Sequence, residues 1–168
     1  MPDLWLLFSP IKRIPADYLA QKATELGVRA LQPVITRRSN VSRVNFERLR
    51  ANAVEAAEQS DRVSVPEIRP TTSFANLLST WPPGRLLFFC DEAGDAGPFA
   101  EAAVSARGEA FAILIGPEGG FAPEERASLL RQDFVIPVSL GRRILRADTA
   151  AIAALAIFQA ARGDWSSP

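Results

Sequence analysis

Apolar runs of strand length alternate with helical patterns along the whole chain. The strand-like runs are LWLLFSPI at 4–11, VRALQPVIT at 28–36, RLLFFC at 85–90, AFAILIG at 110–116 and FVIPVSL at 134–140. Nearly continuous apolar runs are typical of parallel strands that are covered on both faces. The alternation therefore predicts an α/β fold, a mostly parallel sheet with helices on both faces.

The segments between these runs carry the start and stop signals of helices. Gly27 is a natural end for a helix over 16–27, and Asn45 can cap a helix from Phe46 to about Gln59. Thr72 or Ser73 can cap the short helix FANLL, and residues 63–70 are predicted to form a loop or a short strand. Further helices are predicted over 98–106, over 123–132 and from about Asp148 to Arg162.

The composition excludes several kinds of site. The 168 residues suit one domain and contain no histidine, which rules out histidine bases, Ser-His triads and histidine-ligated zinc. The single cysteine, Cys90, is predicted to be a small core residue, and no metal site is expected. No secretory signal is visible, and the apolar segment AAIAALAIFQAA is shorter than the ~18 residues of a membrane span. We therefore expect a cytoplasmic protein without a membrane partner.

Two loops follow predicted strands and carry unusual chemistry. GPEGGF, at 116–121, leads into a helix whose first turn holds Pro123, Glu124 and Glu125, and its glycines can let a ligand approach the backbone. SLGRRILRADTAAIAAL, at 139–155, places a glycine and three arginines just before a helix. The carboxyl ends of parallel strands are where open α/β sheets bind ligands. The structural alternatives are a tight turn for the first loop and a solvated, well-capped loop for the second.

Arginine is concentrated in two stretches. Arg37, Arg38, Arg43, Arg48 and Arg50 form one group, and Arg142, Arg143 and Arg146 form the other. A guanidinium group can donate two hydrogen bonds at once to a phosphate. The formal net charge is zero, so a solvated face with scattered ion pairs remains the alternative.

The two loops, taken in this order, resemble the SPOUT class of methyltransferases, and most closely the RsmE family, which methylates N3 of a uridine in 16S ribosomal RNA. Two further stretches are similar to that family, QKATELGV at 21–28 and EAAEQS at 55–60. The resemblance covers the chain from about Lys12 to Gly163. It implies a C-terminal trefoil knot, an exception to the rule that chains avoid knots.

The resemblance also implies a cofactor, partners and site residues. The cofactor is S-adenosylmethionine, and the partners are 16S ribosomal RNA or the small ribosomal subunit and a second copy of the chain in a homodimer. The cofactor-binding positions that it implies are Ile115, Gly116, Gly120, Ser139, Leu140, Gly141, Ile144, Leu145 and Arg146. The candidate RNA-binding residues are Arg37, Arg38, Arg142 and Arg143.

The sequence departs from this family in two places. Asp148 stands where family members usually carry glutamate, so its carboxylate is one methylene closer to the backbone. Family members also carry a small PUA-like RNA-binding domain ahead of the catalytic one. We expect residues 1–168 to form a single SPOUT methyltransferase domain and the RNA-binding domain to be absent from this chain.

Methylation of uracil N3 requires removal of a proton or stabilisation of the resulting negative charge. In a chain without histidine, the candidates are the carboxylates of Glu118 and Asp148 and the guanidinium of Arg146. Each also has a structural alternative: Glu118 ties down its own loop, Asp148 caps the last helix, and Arg146 binds phosphate.

Two other functions stay open beside the N3-uridine methyltransferase. One is a cofactor-binding, dimeric domain that is inactive without its RNA-binding domain. The other is a SPOUT enzyme that methylates a ribose 2′-hydroxyl, although such enzymes usually have SLN where this chain has SLG.

The last helix favours a dimer on its own composition. Its run AAIAALAIFQAA is apolar nearly all round, whereas a helix on one face of a sheet needs only an apolar stripe. We expect a surplus face, carrying some of Ile152, Leu155, Ile157 and Phe158, to pack against a second chain.

Overall fold

The computed structural model describes residues 3–10, 16–40, 44–92 and 95–166. These residues form one seven-stranded sheet in which every paired strand is parallel to its neighbour. The strands are β1 (Asp3–Phe8), β2 (Ala30–Ile35), β3 (Glu67–Ile68), β4 (Thr72–Ser73), β5 (Arg85–Cys90), β6 (Ala110–Ile115) and β7 (Val135–Val138). Their order across the sheet is β3-β2-β1-β6-β5-β7, and β4 also pairs with β2. The predicted parallel α/β architecture is confirmed.

Six helices connect or flank the strands in the described part of the chain. They are α1 (Ala16–Glu25), α2 (Phe46–Gln59), α3 (Phe74–Ser79), α4 (Phe99–Ser105), α5 (Pro123–Leu130) and α6 (Ala147–Arg162), and a short 3-10 turn follows at Asp164–Ser166. All six were predicted, with ends that differ by at most two residues. The predicted first strand reached Ile11, which lies outside the described residues.

Side chains that alternate along the central strands build a core on each face of the sheet. On β6, Phe111, Ile113 and Ile115 point into one core, while Ala112 and Leu114 point into the other. The larger core contains residues of α1, α2, α4 and α6, and the smaller one contains residues of α3 and α5. Helices therefore cover both faces, which explains why these strands are apolar throughout.

The predicted helix caps are mostly present. The side chain of Asn45 accepts a hydrogen bond from the Arg48 amide, and that of Ser73 accepts one from the Asn76 amide. Gly27 has φ of 80° and ends the turn after α1. Asp148 does not cap α6, because the helix begins one residue earlier and its N-cap is Arg146, which makes no side-chain capping bond. Phe46, at the first helical position of α2, is 38% exposed, whereas Leu49 and Ala53 of the same helix are buried.

The last helix packs mainly within its own chain. Leu155 and Phe158 are fully buried, and Ile157 is partly buried against the larger core. The polar Gln159 is buried as well, because its amide donates a 2.7 Å hydrogen bond to the Leu26 carbonyl. The expected surplus face is thus smaller than the composition implied: α4, α1 and β6 pack against α6, and Ile152 stays partly exposed.

No helix in the described ranges is both long enough and apolar enough to cross a lipid bilayer.

Candidate functional site

Three neighbouring strands end at the same edge of the sheet and bring the two predicted loops together. β6 ends at Ile115, and β7 ends at Val138 on the far side of β5. Because the strands are parallel, the loops that follow them leave the sheet in the same direction. This edge is where open α/β sheets bind ligands.

A cavity of about 350 Å³ lies between these loops. Its volume falls within the ~300–1,000 Å³ of small-molecule sites. Seven of the nine predicted cofactor positions line it, namely Ile115, Gly116, Ser139, Leu140, Gly141, Ile144 and Leu145. Its wall also contains Cys90, Asp91, Glu92, Val138, Arg142, Arg143 and Ala150. Apolar side chains and loop backbone form this surface together with four charged side chains, so it suits a ligand that has both apolar and charged parts.

A smaller cavity of about 220 Å³ adjoins the first one. Four residues line both cavities: Cys90, Asp91, Glu92 and Gly116. The smaller cavity adds Phe89, Gly120, Phe121 and Arg126. Gly120, an eighth predicted cofactor position, therefore lies in the second cavity, and Arg146, the ninth, lines neither of the two.

Glycine is required at two positions of the loop at 116–121 for different structural reasons. Gly120 has φ of 67°, and its amide donates a 2.8 Å hydrogen bond to the Pro117 carbonyl, so a tight turn requires it. At Gly116, an added Cβ would lie 2.6 Å from the Phe121 ring, so the close approach of the ring requires glycine there. The space that Gly116 leaves is thus taken by this chain's own aromatic ring, not kept open for a ligand.

The loop after β2 fastens the glycine loop from outside. The Arg38 guanidinium donates a 2.6 Å hydrogen bond to the Gly119 carbonyl, and Arg37 forms an ion pair with Glu124. The buried carboxylate of Glu125 accepts hydrogen bonds from the amides of Arg37, at 2.8 Å, and Ala122, at 3.0 Å. The candidate RNA-binding residues Arg37 and Arg38 therefore have partners within the chain, although the side chain of Arg37 is 70% exposed.

The second loop, residues 139–146, turns sharply and exposes its arginines. The Ser139 hydroxyl accepts a 3.1 Å hydrogen bond from the amide of Gly141, whose φ is 104°. The Ser139 carbonyl also accepts a bond from the Phe99 amide, which ties the loop to α4. Arg142 and Arg143 are exposed beside the cavity. Arg43, from the other arginine group, lies outside the described residues.

The three candidate catalytic side chains lie around the cavities and not in their walls, as far as the described residues show. Glu118 and Arg146 are exposed, one in each loop. The Asp148 carboxylate accepts a 2.8 Å hydrogen bond from the amide of Thr149 within the first turn of α6. The fold therefore leaves Glu118 and Arg146 accessible to a macromolecule, while Asp148 already has a local hydrogen-bonding role.

Sequence reasoning missed the end of β5. Asp91 is buried, and its carboxylate accepts three hydrogen bonds from Arg126 of α5, the shortest at 2.7 Å. That hydrogen bonding raises the pKa of the Arg126 guanidinium. A signal was present, because the two carboxylates of Asp91 and Glu92 directly follow the apolar run RLLFFC.

Two further groups at the end of β5 have raised pKa values. Burial, and secondarily the Glu92 carboxylate, raise the pKa of the Cys90 thiol to about 12. Cys90 packs against the larger core as predicted, but it also lines both cavities. Desolvation, and secondarily the Asp91 carboxylate, raise the pKa of Glu92, although the residue as a whole is exposed.

Known proteins are similar to this chain in sequence and in fold. The RNA methyltransferase domain family matches residues 1–159. The ribosomal RNA small subunit methyltransferase E of Rickettsia conorii is 35% identical over 154 residues, which are 91% of this chain and 62% of that protein. The protein of the same name from Bacillus subtilis is 36% identical over 150 residues, which are 83% of this chain and 58% of that protein. The chain thus spans about three fifths of the length of these relatives.

A solved structure agrees over nearly the whole chain. The ribosomal RNA small subunit methyltransferase E of Neisseria gonorrhoeae, bound to S-adenosylmethionine, superposes with a TM-score of 0.85 at 30% identity, covering 98% of this chain and 69% of that one. The chain belongs to the RNA methyltransferase domain family and, within it, to the ribosomal RNA small subunit methyltransferase E group.

Proposed function

We propose that this chain is the catalytic domain of an S-adenosylmethionine-dependent methyltransferase that acts on N3 of a uridine in 16S ribosomal RNA. The observation that carries the proposal is the 350 Å³ cavity between the loops after β6 and β7, lined by seven of the nine positions that the family resemblance implies for the cofactor. The relative from Neisseria gonorrhoeae binds S-adenosylmethionine on a closely similar fold.

The cavity fits the parts of this cofactor. Ile115, Leu140 and Leu145 offer apolar surface to a purine ring, and the loop backbone around Gly141 offers amide and carbonyl groups to its polar edge. The adjoining 220 Å³ cavity has room for a second part of the ligand. A bent cofactor that occupies both cavities would pass the four residues that they share.

We infer that the C-terminal segment forms the trefoil knot of the SPOUT class. The path of the chain supports this inference. The strand β7 lies at the edge of the sheet beside β5, and the chain then returns through residues 139–146 so that α6 packs against α1, α4 and β6. The second cavity loop belongs to this returning region, so the knot would fix its position relative to the loop at 116–121.

The main task of this chain in the reaction is to align the methyl group of the cofactor with uracil N3. Bound S-adenosylmethionine supplies an electrophilic methyl group. Transfer forms a bond from uracil N3 to the methyl carbon and breaks the carbon–sulfur bond, whose electron pair stays on sulfur, and the N3 proton is released to a base. Holding the two reactants in line is worth up to about 7–11 kcal/mol of the barrier. The contacts of Glu125 and Arg38 that fasten the glycine loop serve that purpose.

In this proposal, exposed side chains stabilise the negative charge on the uracil and accept its N3 proton. Arg146 can stabilise negative charge on a uracil carbonyl oxygen, and Glu118 can accept the N3 proton. Within the described part of the chain, neither side chain makes a hydrogen bond or an ion pair. Each extends from a cavity loop. Asp148 is the weaker candidate, because its carboxylate already binds the Thr149 amide. The target base would have to leave its stack to reach them.

Arg142 and Arg143 are the RNA contacts that the geometry favours. Both are exposed at the rim of the cavity, where a phosphate beside a flipped uridine would lie. Arg37 and Arg38 would contact RNA only while also holding the glycine loop.

We also infer a homodimer with α6 in its interface. Support comes from the partly exposed Ile152 and from the small residues Ala153, Ala156 and Ala160 on the outer side of α6, which allow close approach of a second helix. The cavity loop that precedes α6 would then lie near the partner chain, including Ile144, which is 85% exposed.

Calorimetry and methyl mapping test the function. We expect the chain to bind S-adenosylmethionine with a stoichiometry of one per chain. We then expect methyl transfer to small ribosomal subunits or to 16S RNA, with the methyl group on N3 of a uridine by mass spectrometry of the digested RNA. Binding without transfer to either substrate would favour the inactive cofactor-binding domain, and a 2′-O-methyl product would show the wrong atom was proposed.

A further inference from the structure

The four residues shared by the two cavities mark the place where the middle of a spanning ligand lies. Cys90, Asp91, Glu92 and Gly116 line both the 350 Å³ and the 220 Å³ cavity. If S-adenosylmethionine binds as proposed above, its nucleoside and its amino-acid portion occupy different cavities. The atom that joins these portions is the sulfonium sulfur, which carries a positive charge in the cofactor and none in the product S-adenosylhomocysteine.

Three of the shared residues present no net charge to this junction. Gly116 has no side chain, and the Cys90 thiol stays protonated at neutral pH because burial raises its pKa to about 12. The charge of the Asp91 carboxylate is balanced by the Arg126 guanidinium. The guanidinium donates hydrogen bonds from Nε to Oδ1 and from Nη2 to Oδ2 of that carboxylate. Glu92 is therefore the group that can present an uncompensated negative charge at the junction.

The surroundings of Glu92 disfavour its charge when no cation is near. Glu92 is exposed to solvent, yet desolvation and, secondarily, the neighbouring Asp91 carboxylate raise its pKa. Among the residues that the structure describes, none forms an ion pair with Glu92. The cations that line the larger cavity, Arg142 and Arg143, stand on the opposite loop and are exposed to solvent.

We propose that the Glu92 carboxylate faces the sulfonium of bound S-adenosylmethionine and makes this chain distinguish the cofactor from S-adenosylhomocysteine by charge. The inference rests on the proposed function and adds a specificity-determining residue to it. A carboxylate at this place attracts the positive sulfur of the cofactor. After transfer the sulfur is neutral, so the same carboxylate loses that attraction and product release is favoured.

Calorimetric titration of two ligands into the wild type, Glu92→Gln and Glu101→Gln tests this inference. Glu92→Gln keeps the size of the side chain and removes its charge, while Glu101 is an exposed residue of α4 outside both cavities. We expect Glu92→Gln to weaken S-adenosylmethionine binding by about tenfold and S-adenosylhomocysteine binding by less than about twofold. Glu101→Gln should bind both ligands as the wild type does.

The outcomes separate this inference from the proposed function. A wild type that binds neither ligand overturns the proposed function itself. A wild type that binds the cofactor, together with a Glu92→Gln variant that loses the same factor for both ligands, places the carboxylate at the amino group that they share and overturns the inference. An unchanged ratio of dissociation constants with unchanged affinities overturns it as well. Circular dichroism melting of each variant excludes misfolding as the cause of lost binding.

Discussion

The carboxylate of Asp91, at the end of β5, accepts three hydrogen bonds from the guanidinium of Arg126 on α5, at 3.0, 3.0 and 2.7 Å. The Asp91 side chain is only 4% exposed, whereas that of Arg126 is 33% exposed. This pair joins the wall of the candidate cofactor site to the helix that follows the glycine loop. It therefore couples the stability of the fold to the shape of the cavity.

Removing the charge of Asp91 should destabilise the protein and loosen the site. We expect Asp91→Asn to lower the free energy of unfolding by about 2 kcal/mol, because Arg126 keeps its charge without a matching carboxylate and is only partly solvated. Urea denaturation measures the change. Asp133→Asn, at an exposed turn, is the matched control and should stay within about 0.5 kcal/mol of the wild type. Equal stabilities of the two variants would show that the pair contributes little.

The neighbouring glycines Gly119 and Gly120 should respond differently to alanine. Gly120 has φ of 67°, whereas Gly119 is not in the positive-φ region and an added Cβ there would make an ordinary 3.6 Å contact with Arg38. We expect Gly120→Ala to cost about 1 kcal/mol of stability through backbone strain and Gly119→Ala to cost less than half as much. Thermal unfolding of the two variants side by side checks this. A larger loss for Gly119→Ala would contradict the assigned turn.

Cys90 should be a slow nucleophile in the folded chain. Burial raises the pKa of its thiol to about 12, so the protonated form dominates and the reactive thiolate is scarce at neutral pH. We expect iodoacetamide to alkylate the folded protein slowly from about pH 7 to about pH 10, while the urea-unfolded chain reacts with an apparent pKa of about 8.5. Mass spectrometry follows both rates on the same single cysteine. A folded-state rate that rises through pH 8.5 would contradict this environment.

Arg146 should act on the RNA and not on the cofactor. Its side chain is exposed and makes no capping bond, although its backbone forms the N-cap of α6. We expect Arg146→Lys to reduce methyl transfer to small subunits or 16S RNA by about tenfold or more, because lysine keeps the charge but loses the two-pronged donor. The dissociation constant for S-adenosylmethionine should change by less than about twofold.

The comparison for Arg146 is Arg131→Lys, at an exposed position after α5. That variant should transfer methyl groups at the wild-type rate. If Arg146→Lys also keeps the wild-type rate, the residue has no role at the reacting base. If it weakens cofactor binding as strongly as methyl transfer, its role is in the cofactor site.

The outer side of α6 should determine the oligomeric state. We expect light scattering to give the mass of two chains at micromolar concentration. Ile152→Glu should shift the mass toward one chain, since it places a charge in an apolar interface. Leu130→Glu, which is 42% exposed on α5 at the other face of the sheet, should leave the dimer intact. A wild type that stays monomeric as its concentration rises would refute the dimer.

Local patterns in the sequence were sufficient for the architecture. Alternation of apolar runs and helical segments predicted the parallel sheet, because strands buried on both faces must be apolar at every position. Asn45, Ser73 and Gly27 predicted helix ends correctly, since capping depends on hydrogen bonds between close neighbours in sequence. The two loops of the cavity were found in the same way, because each lies directly after a strand.

Tertiary packing decided what the local patterns could not. The contribution of Asp91 and Glu92 to the cavity depends on β5 lying between β6 and β7, which is a matter of strand order and not of any neighbouring residue. Gly116 is fixed by the ring of Phe121, and Arg38 reaches a carbonyl 81 residues away along the chain. The apolar surface of α6 looked unpartnered in the sequence, yet α1, α4 and β6 cover Leu155 and Phe158 completely. Contacts between residues far apart in sequence exist only once the sheet has brought them together. No short stretch of the sequence therefore contains a pattern that predicts them.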